Sequence, residues 1–138
     1  MYQTILLTLD GTPTDRAIIE HVKPLAKLAR SRVVLLHVAD GWAARTYGPD
    51  AISPEIREDT DYLHRVRAEF QSAGIAVEAE LSYGDPVSEI VKWVQQKGCD
   101  LVAMSTHGHR FIGDIFLGTT ASRVQHSISV PVLLLRAK

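Results

Sequence analysis

Two short segments in the second half of this 138-residue chain have residue types suited to a charged ligand. Residues 105–108 read STHG, and after nine intervening residues comes Gly118, followed by Thr119 and Thr120. Glycine lets backbone come close to a ligand because it has no Cβ. Threonine hydroxyls donate hydrogen bonds. Backbone N–H groups at a helix N-terminus lack intrahelical partners, and the helix dipole there favours negative charge. The pattern after Gly118 predicts that it opens a helix. A nucleotide's phosphates would then lie between the Gly108 loop and the Gly118 turn. Thr119 and Thr120 also suit plain N-capping, which uses the same geometry as phosphate binding. Asp10, which ends an apolar run near the N-terminus, is the third candidate; it reads either as a ligand contact or as a turn residue.

Other side chains have types suited to catalysis or metal binding. His107 and His109 stand two apart without a nearby Cys or Glu and make a poor zinc set, so no metal ligand is assigned. No Ser-His-Asp or paired-carboxylate constellation flanks the loop. No lysine stands at a Walker position, which excludes a P-loop NTPase by pattern. The triplet 107–109, HGH, is a faint echo of an adenylyl-transfer motif but follows the fourth strand, not the first. Arg110 suits a phosphate contact or a solvated surface equally. His37 reads as a strand-end histidine, and Cys99 as a packed small residue with no sign of activation. Trp42 and Tyr47 either cover the site or pack locally. No catalytic residue is expected, and hydrolysis at most would be slow.

Five short apolar segments must position these residues. They are 5–9, 33–38, 75–81, 101–104 and 130–135. The first, second and fourth are apolar throughout, as strands buried on both faces are. Residues 75–81 alternate, which suits an edge strand with one wetter face. Pro131 cannot donate to a ladder, so the last strand lies at an edge or begins there. Between them run helical patterns. Thr12 and Pro13 supply an N-cap and first turn, with Asp15 helping, and Ile18, Val22, Leu25 and Leu28 form the buried stripe. Pro24 inside that helix predicts a kink, not a break. Ser53 and Pro54 restart a helix striped by Ile56, Leu63, Val66 and Phe70, which Gly74 stops. Asp85 caps a third, striped by Val87, Ile90, Val91 and Val94 and ended by Gly98. The fourth carries Ala121 and Val124. The connection 39–52 has no period and is long enough to be functional or mobile. Alternating strand and helix predicts one parallel sheet covered on both faces, which binds ligands at strand carboxyl ends where the strand order reverses.

Hydrophobic residues make up 46% and charged residues 22% of the chain, an ordinary globular composition for one domain. The net charge of −1 leaves no whole-chain footprint for nucleic acid. A single cysteine suits a reducing compartment. No signal-peptide pattern or span-length apolar run is present, so a cytoplasmic protein without membrane attachment is expected.

The segments LLTLDGTPTDRAI, VVLLHV, YGDPVSEI, DLVAMSTHGH, FLGTTASRV and SVPVLLLR together resemble the universal stress protein family, in order along nearly the whole of 1–138. The resemblance implies a single-domain, Rossmann-like α/β fold with strand order 3-2-1-4-5, usually dimerised through the last strand, here 130–135. One branch of the family binds ATP through G-x2-G-x9-G-[ST]. Gly108, Gly118 and Thr119 match that motif, whereas Ser105 replaces its first glycine and narrows the site. Carried over by motif, Thr8, Leu9 and Asp10 would line the ribose and adenine side, and Val38 and Met104 would touch the adenine. Ser105, Gly108 and His109 would follow the ribose and phosphates, and Gly118, Thr119 and Thr120 would hold phosphate. The implied function is a homodimeric module of the stress response that binds ATP, with or without magnesium; AMP or ADP remain open. The alternative is a family member that binds no nucleotide and acts through protein contacts.

Overall fold

The computed structural model describes residues 1–39, 54–106 and 115–136, with backbone only for 54–56 and 115–120. Along the chain run β1 (Thr4–Leu9), α1 (Asp15–Ala29), β2 (Arg32–Ala39), α2 (Pro54–Ser72), β3 (Val77–Tyr83), α3 (Pro86–Lys97), β4 (Leu101–Ser105), α4 (Ile115–Ser127) and β5 (Val132–Leu135). The five strands form one sheet in the order β3-β2-β1-β4-β5, and every neighbouring pair is parallel. All carboxyl ends therefore fall on one side. β1 is central, with Ile5 opposite Val33 on one flank and Leu101 on the other.

Strand alternation divides the core into two layers. Ile5, Leu7, Leu9, Val33, Leu35, Leu101 and Ala103 pack against Ile18, Ile19, Val22 and Ala26 of α1 and Leu63, Val66 and Phe70 of α2. Leu6, Val34, Leu36, Val102 and Met104 face the other way, onto Val87, Ile90 and Val94 of α3 and Val124 of α4. The apolar runs expected for doubly buried strands are thus divided residue by residue between two helix layers.

Several boundaries differ from the sequence expectation. First, α1 starts at Asp15, not at Pro13, and Thr14 at its N-cap makes no side-chain cap bond. The Thr12 and Thr14 hydroxyls bond each other at 2.6 Å, and Asp15 N–H donates to the Thr12 carbonyl at 3.0 Å, closing a turn before the helix. Second, β3 starts at Val77, because Ile75 still belongs to the exit of α2. Its N–H donates to the Phe70 carbonyl at 3.0 Å, and Gly74 N–H donates to Gln71 at 2.9 Å with φ at +80°. This is the Schellman arrangement, with Ile75 and Phe70 in one core cluster. Third, β5 starts at Val132, although the Pro131 carbonyl already accepts from Val102 N–H at 3.0 Å. Leu28, which the spacing puts on the buried stripe, is 85% exposed. At the helical period it lies well round from the stripe of Ile18, Val22 and Ala26. Helix α1 runs unbroken through Pro24.

Other signals appear where the sequence places them. Asp85 caps α3 by accepting from Ser88 N–H at 2.9 Å, and Gly98 ends it in the left-handed region. Edge strand β3 is pinned to α3 by Trp93, whose Nε1–H donates to Ser82 Oγ at 3.0 Å, and by Lys97, which donates to Glu78 at 2.8 Å. Glu78 also pairs with Arg32 at 2.9 Å, and Glu80 lies 4.0 Å from Lys97. At the opposite end of the sheet from the strand exits, the Asp100 carboxylate accepts from Gln3 and Thr4 N–H at 2.9 and 3.0 Å, clipping β1 to the start of β4.

Phe70 is fully buried. Replacing it with alanine is expected to lower stability by about 3–5 kcal/mol at unchanged m-value in urea melts. Partial burial works to raise the Asp100 carboxyl, but the two N–H donors prevail and hold it below its ordinary 3.8. A carboxyl held lower in the folded than in the unfolded chain stabilises at pH above 3.8 and loses that contribution as pH falls through the folded value. Asp100→Asn is therefore expected to flatten the fall in stability on acidification below 3.8, measured by urea melts across that range.

Candidate functional site

The strand order reverses between β2-β1 and β1-β4, and the crevice at that point is where open parallel sheets take ligands. Asp10 leaves β1 there and is exposed, while Ser105 ends β4 on the other side. Thr8, Val38 and Met104 share the alternation of Leu6, Leu36 and Val102, so all three belong to the sheet face under α3 and α4. Met104 is buried, and Thr8 and Val38 are half-buried. Leu9 and Ser105 have the opposite parity. The Leu9 side chain lies in the α1–α2 core, and its carbonyl accepts from His37 Nδ1–H at 2.8 Å. The Ser105 hydroxyl oxygen is buried and has no hydrogen-bond partner among the described residues.

Gly118, Thr119 and Thr120 do not open α4. The helix starts three residues earlier, at Ile115, so Gly118 closes its first turn. Ile115, Phe116 and Leu117 all tolerate helix, and a glycine inside one costs only about 1 kcal/mol. The three residues still stand at the positive end of the helix dipole. Gly108 and His109 lie outside the described residues, as do Trp42, Tyr47, His107 and Arg110.

The turn after β1 is built from side chains that sequence reasoning undervalued. The Asp15 carboxylate, 1% exposed, accepts from Asp10 N–H at 2.9 and 3.1 Å and from Gly11 N–H at 2.9 Å. It therefore holds the turn that precedes its own helix, not the first helical turn. The Tyr62 hydroxyl from α2 donates to the same carboxylate at 2.7 Å. Burial, and then the bond to Asp15, push the Tyr62 phenol well above its ordinary range. His37 spans β2 and β1: Nδ1 meets the Leu9 carbonyl, and Nε2 lies 3.2 Å from Asp59 Oδ2 of α2. A carbonyl and a carboxylate both only accept, so the two contacts together need a proton on each ring nitrogen. Gly11, at φ +81°, lies against this pair; a Cβ there would stand 3.6 Å from both His37 Cε1 and Asp59 Oδ1. The one usable signal in the sequence was the spacing of Asp59 and Tyr62, three apart on α2.

Among the described residues no group of three or more His, Cys, Asp or Glu is placed to hold a metal, and no helix is long and apolar enough to cross a membrane. Cys99 is buried, and desolvation pushes its thiol up to about 11, as befits a packing residue.

Residues 1–136 match the universal stress protein family. The chain belongs to that family. Universal stress protein MJ0577 of Methanocaldococcus jannaschii is 27% identical, over all of this chain and 97% of its own length. The structure solved for MJ0577 superposes with a TM-score of 0.86 at 28% identity, covering 100% of this chain and 98% of that one. Two more distant universal stress proteins share the fold. One, in complex with cAMP, has a TM-score of 0.76 at 17% identity over 99% of this chain and 98% of its own. The other, from Archaeoglobus fulgidus in complex with dAMP, has a TM-score of 0.72 at 16% identity over 98% of each chain.

Asp15 is the buried acceptor for two backbone donors and a phenol. Asp15→Asn turns a donor toward donors and is expected to lower stability by about 2–3 kcal/mol, read in urea melts at neutral pH.

Proposed function

We propose that this universal stress protein binds an adenine nucleotide in the crevice at the carboxyl ends of β1 and β4. The ligand is ATP, with or without magnesium, with ADP and AMP as competitors. Occupancy is the signal that a homodimer, joined through 130–135, passes to a protein partner in a cytoplasmic stress response. Slow hydrolysis at most accompanies binding, and no residue is assigned a catalytic role.

The observation that carries this reading is the Ser105 hydroxyl, buried at the switch point beside the exit of β1 without a partner among the described residues. Buried hydroxyls are normally bonded, and at the β4 exit a turn of this side chain toward the crevice would bring it to a ribose or phosphate oxygen. Thr8, Val38 and Met104 offer one face on which an adenine could lie, and the first turn of α4 offers a favourable dipole. Ser105 takes the place of the first glycine in G-x2-G-x9-G-[ST], whose remaining positions are Gly108, Gly118 and Thr119. Adenine nucleotides in two relatives of this fold add support.

The same Ser105 favours a second reading. Its Cβ and hydroxyl occupy space that glycine leaves open, and a chain that bound no nucleotide would act through its surface.

The test is mass spectrometry of small molecules released from heat-denatured protein, with calorimetric titration of ATP, ADP and AMP with and without magnesium. ATP binding is expected, weakened at least about tenfold in Asp10→Ala and Gly118→Ala, and weakened in Ser105→Ala, which removes only the hydroxyl. An empty protein that ignores all three nucleotides selects the second reading.

A further inference from the structure

We infer that α2 positions the turn after β1 through two of its side chains, Asp59 and Tyr62, and so sets the shape of one wall of the ligand crevice. The inference rests on the adenine-nucleotide reading only for what the crevice holds; the clamp itself rests on the geometry.

Three consecutive residues, Leu9, Asp10 and Gly11, are each held by a backbone group. Leu9 offers its carbonyl to His37, and His37 Nε2 reaches Asp59 at 3.2 Å. Asp10 and Gly11 offer their N–H groups to Asp15, and Asp15 accepts from Tyr62 at 2.7 Å. Both arms therefore run from α2 through one buried side chain to the turn. The relay groups have little freedom, since Asp15 is 1% and His37 8% exposed in a densely packed layer. Asp59 and Tyr62 stand three apart, on one helical face. The anchoring of α2 is a separate matter, carried by Leu63, Val66 and Phe70 in the core. Loss of one polar group from either arm should therefore leave the helix docked and loosen the turn. Coupling of this kind is reciprocal: a ligand that orders the turn also orders the clamp residues of α2.

Tyr62→Phe removes only a hydroxyl, and Asp59→Asn keeps the shape of the carboxylate. Amide exchange is followed by NMR in the wild type, both single variants and the double variant, alongside calorimetric ATP titration. In the absence of nucleotide, Asp10 and Gly11 amides are expected to exchange about tenfold faster in Tyr62→Phe, while those of Leu6 and Leu7 in β1 keep their rates. The double variant is expected to bind ATP about tenfold more weakly, and ATP is expected to slow exchange around residues 59–63 in the wild type alone. A purely structural role for the two side chains would lower melting temperature without this selective pattern. Unchanged Asp10 and Gly11 exchange in all variants overturns the clamp. A loosened turn with unchanged ATP affinity overturns the positioning role. A wild type that takes up no adenine nucleotide defeats the reading of the crevice and leaves the clamp to stand or fall on the exchange of Asp10 and Gly11.

Discussion

A parallel strand that ends in a tight turn leaves backbone donors that no ladder can take, and inside a covered sheet they must still be satisfied. At the exit of β1 one carboxylate meets that need. Asp15 collects the N–H groups of Asp10 and Gly11 and the hydroxyl of Tyr62. The turn and the start of α1 follow from this arrangement. Because β1 is the central strand, the place so organised is also where the strand order reverses. A backbone turn held at three successive residues thus carries the exposed candidate ligand residue Asp10.

The two-layer core divides the work around that point. The α1–α2 layer holds the polar clamp, and the α3–α4 layer presents Thr8, Val38 and Met104. Successive residues of one strand serve different layers, so Thr8 faces the crevice side while Leu9 is sealed in the core beneath the clamp. The backbone of β1 is therefore the element that the two layers share.

Much of this was legible in the sequence because its causes are local. Apolar runs marked the strands, Asp85 and Gly98 bracketed α3, and the +80° φ of Gly74 was implied by the end of the stripe at Phe70. The sheet order came with the family resemblance. What escaped was set at long range. Tyr62 and Asp15 are 47 residues apart, and His37 and Leu9 are 28 apart. No local pattern reveals that Asp15 turns back to a loop when it stands where an N-terminal helical acid would serve equally well. Leu28 was misplaced because four apolar residues at three-to-four spacing drift round a helix, and only three of them can follow the sheet. The start of α4 escaped because Gly118 reads as punctuation, yet is tolerated within a first helical turn.

The two margins of the sheet differ in chemistry. Along β3, Glu78 and Glu80 meet Lys97 and Arg32, so a foreign strand arriving there would have to disturb an ion-pair network. Along β5 the sequence is VLLL, half-buried, with no charged residue. Charged side chains on a border strand discourage edge-to-edge growth. Lateral accretion consequently has one permissive side. A contact made there between two copies, related by a twofold axis, consumes the permissive side of both and leaves guarded borders outward. Such an assembly terminates at two chains and cannot propagate into a ribbon.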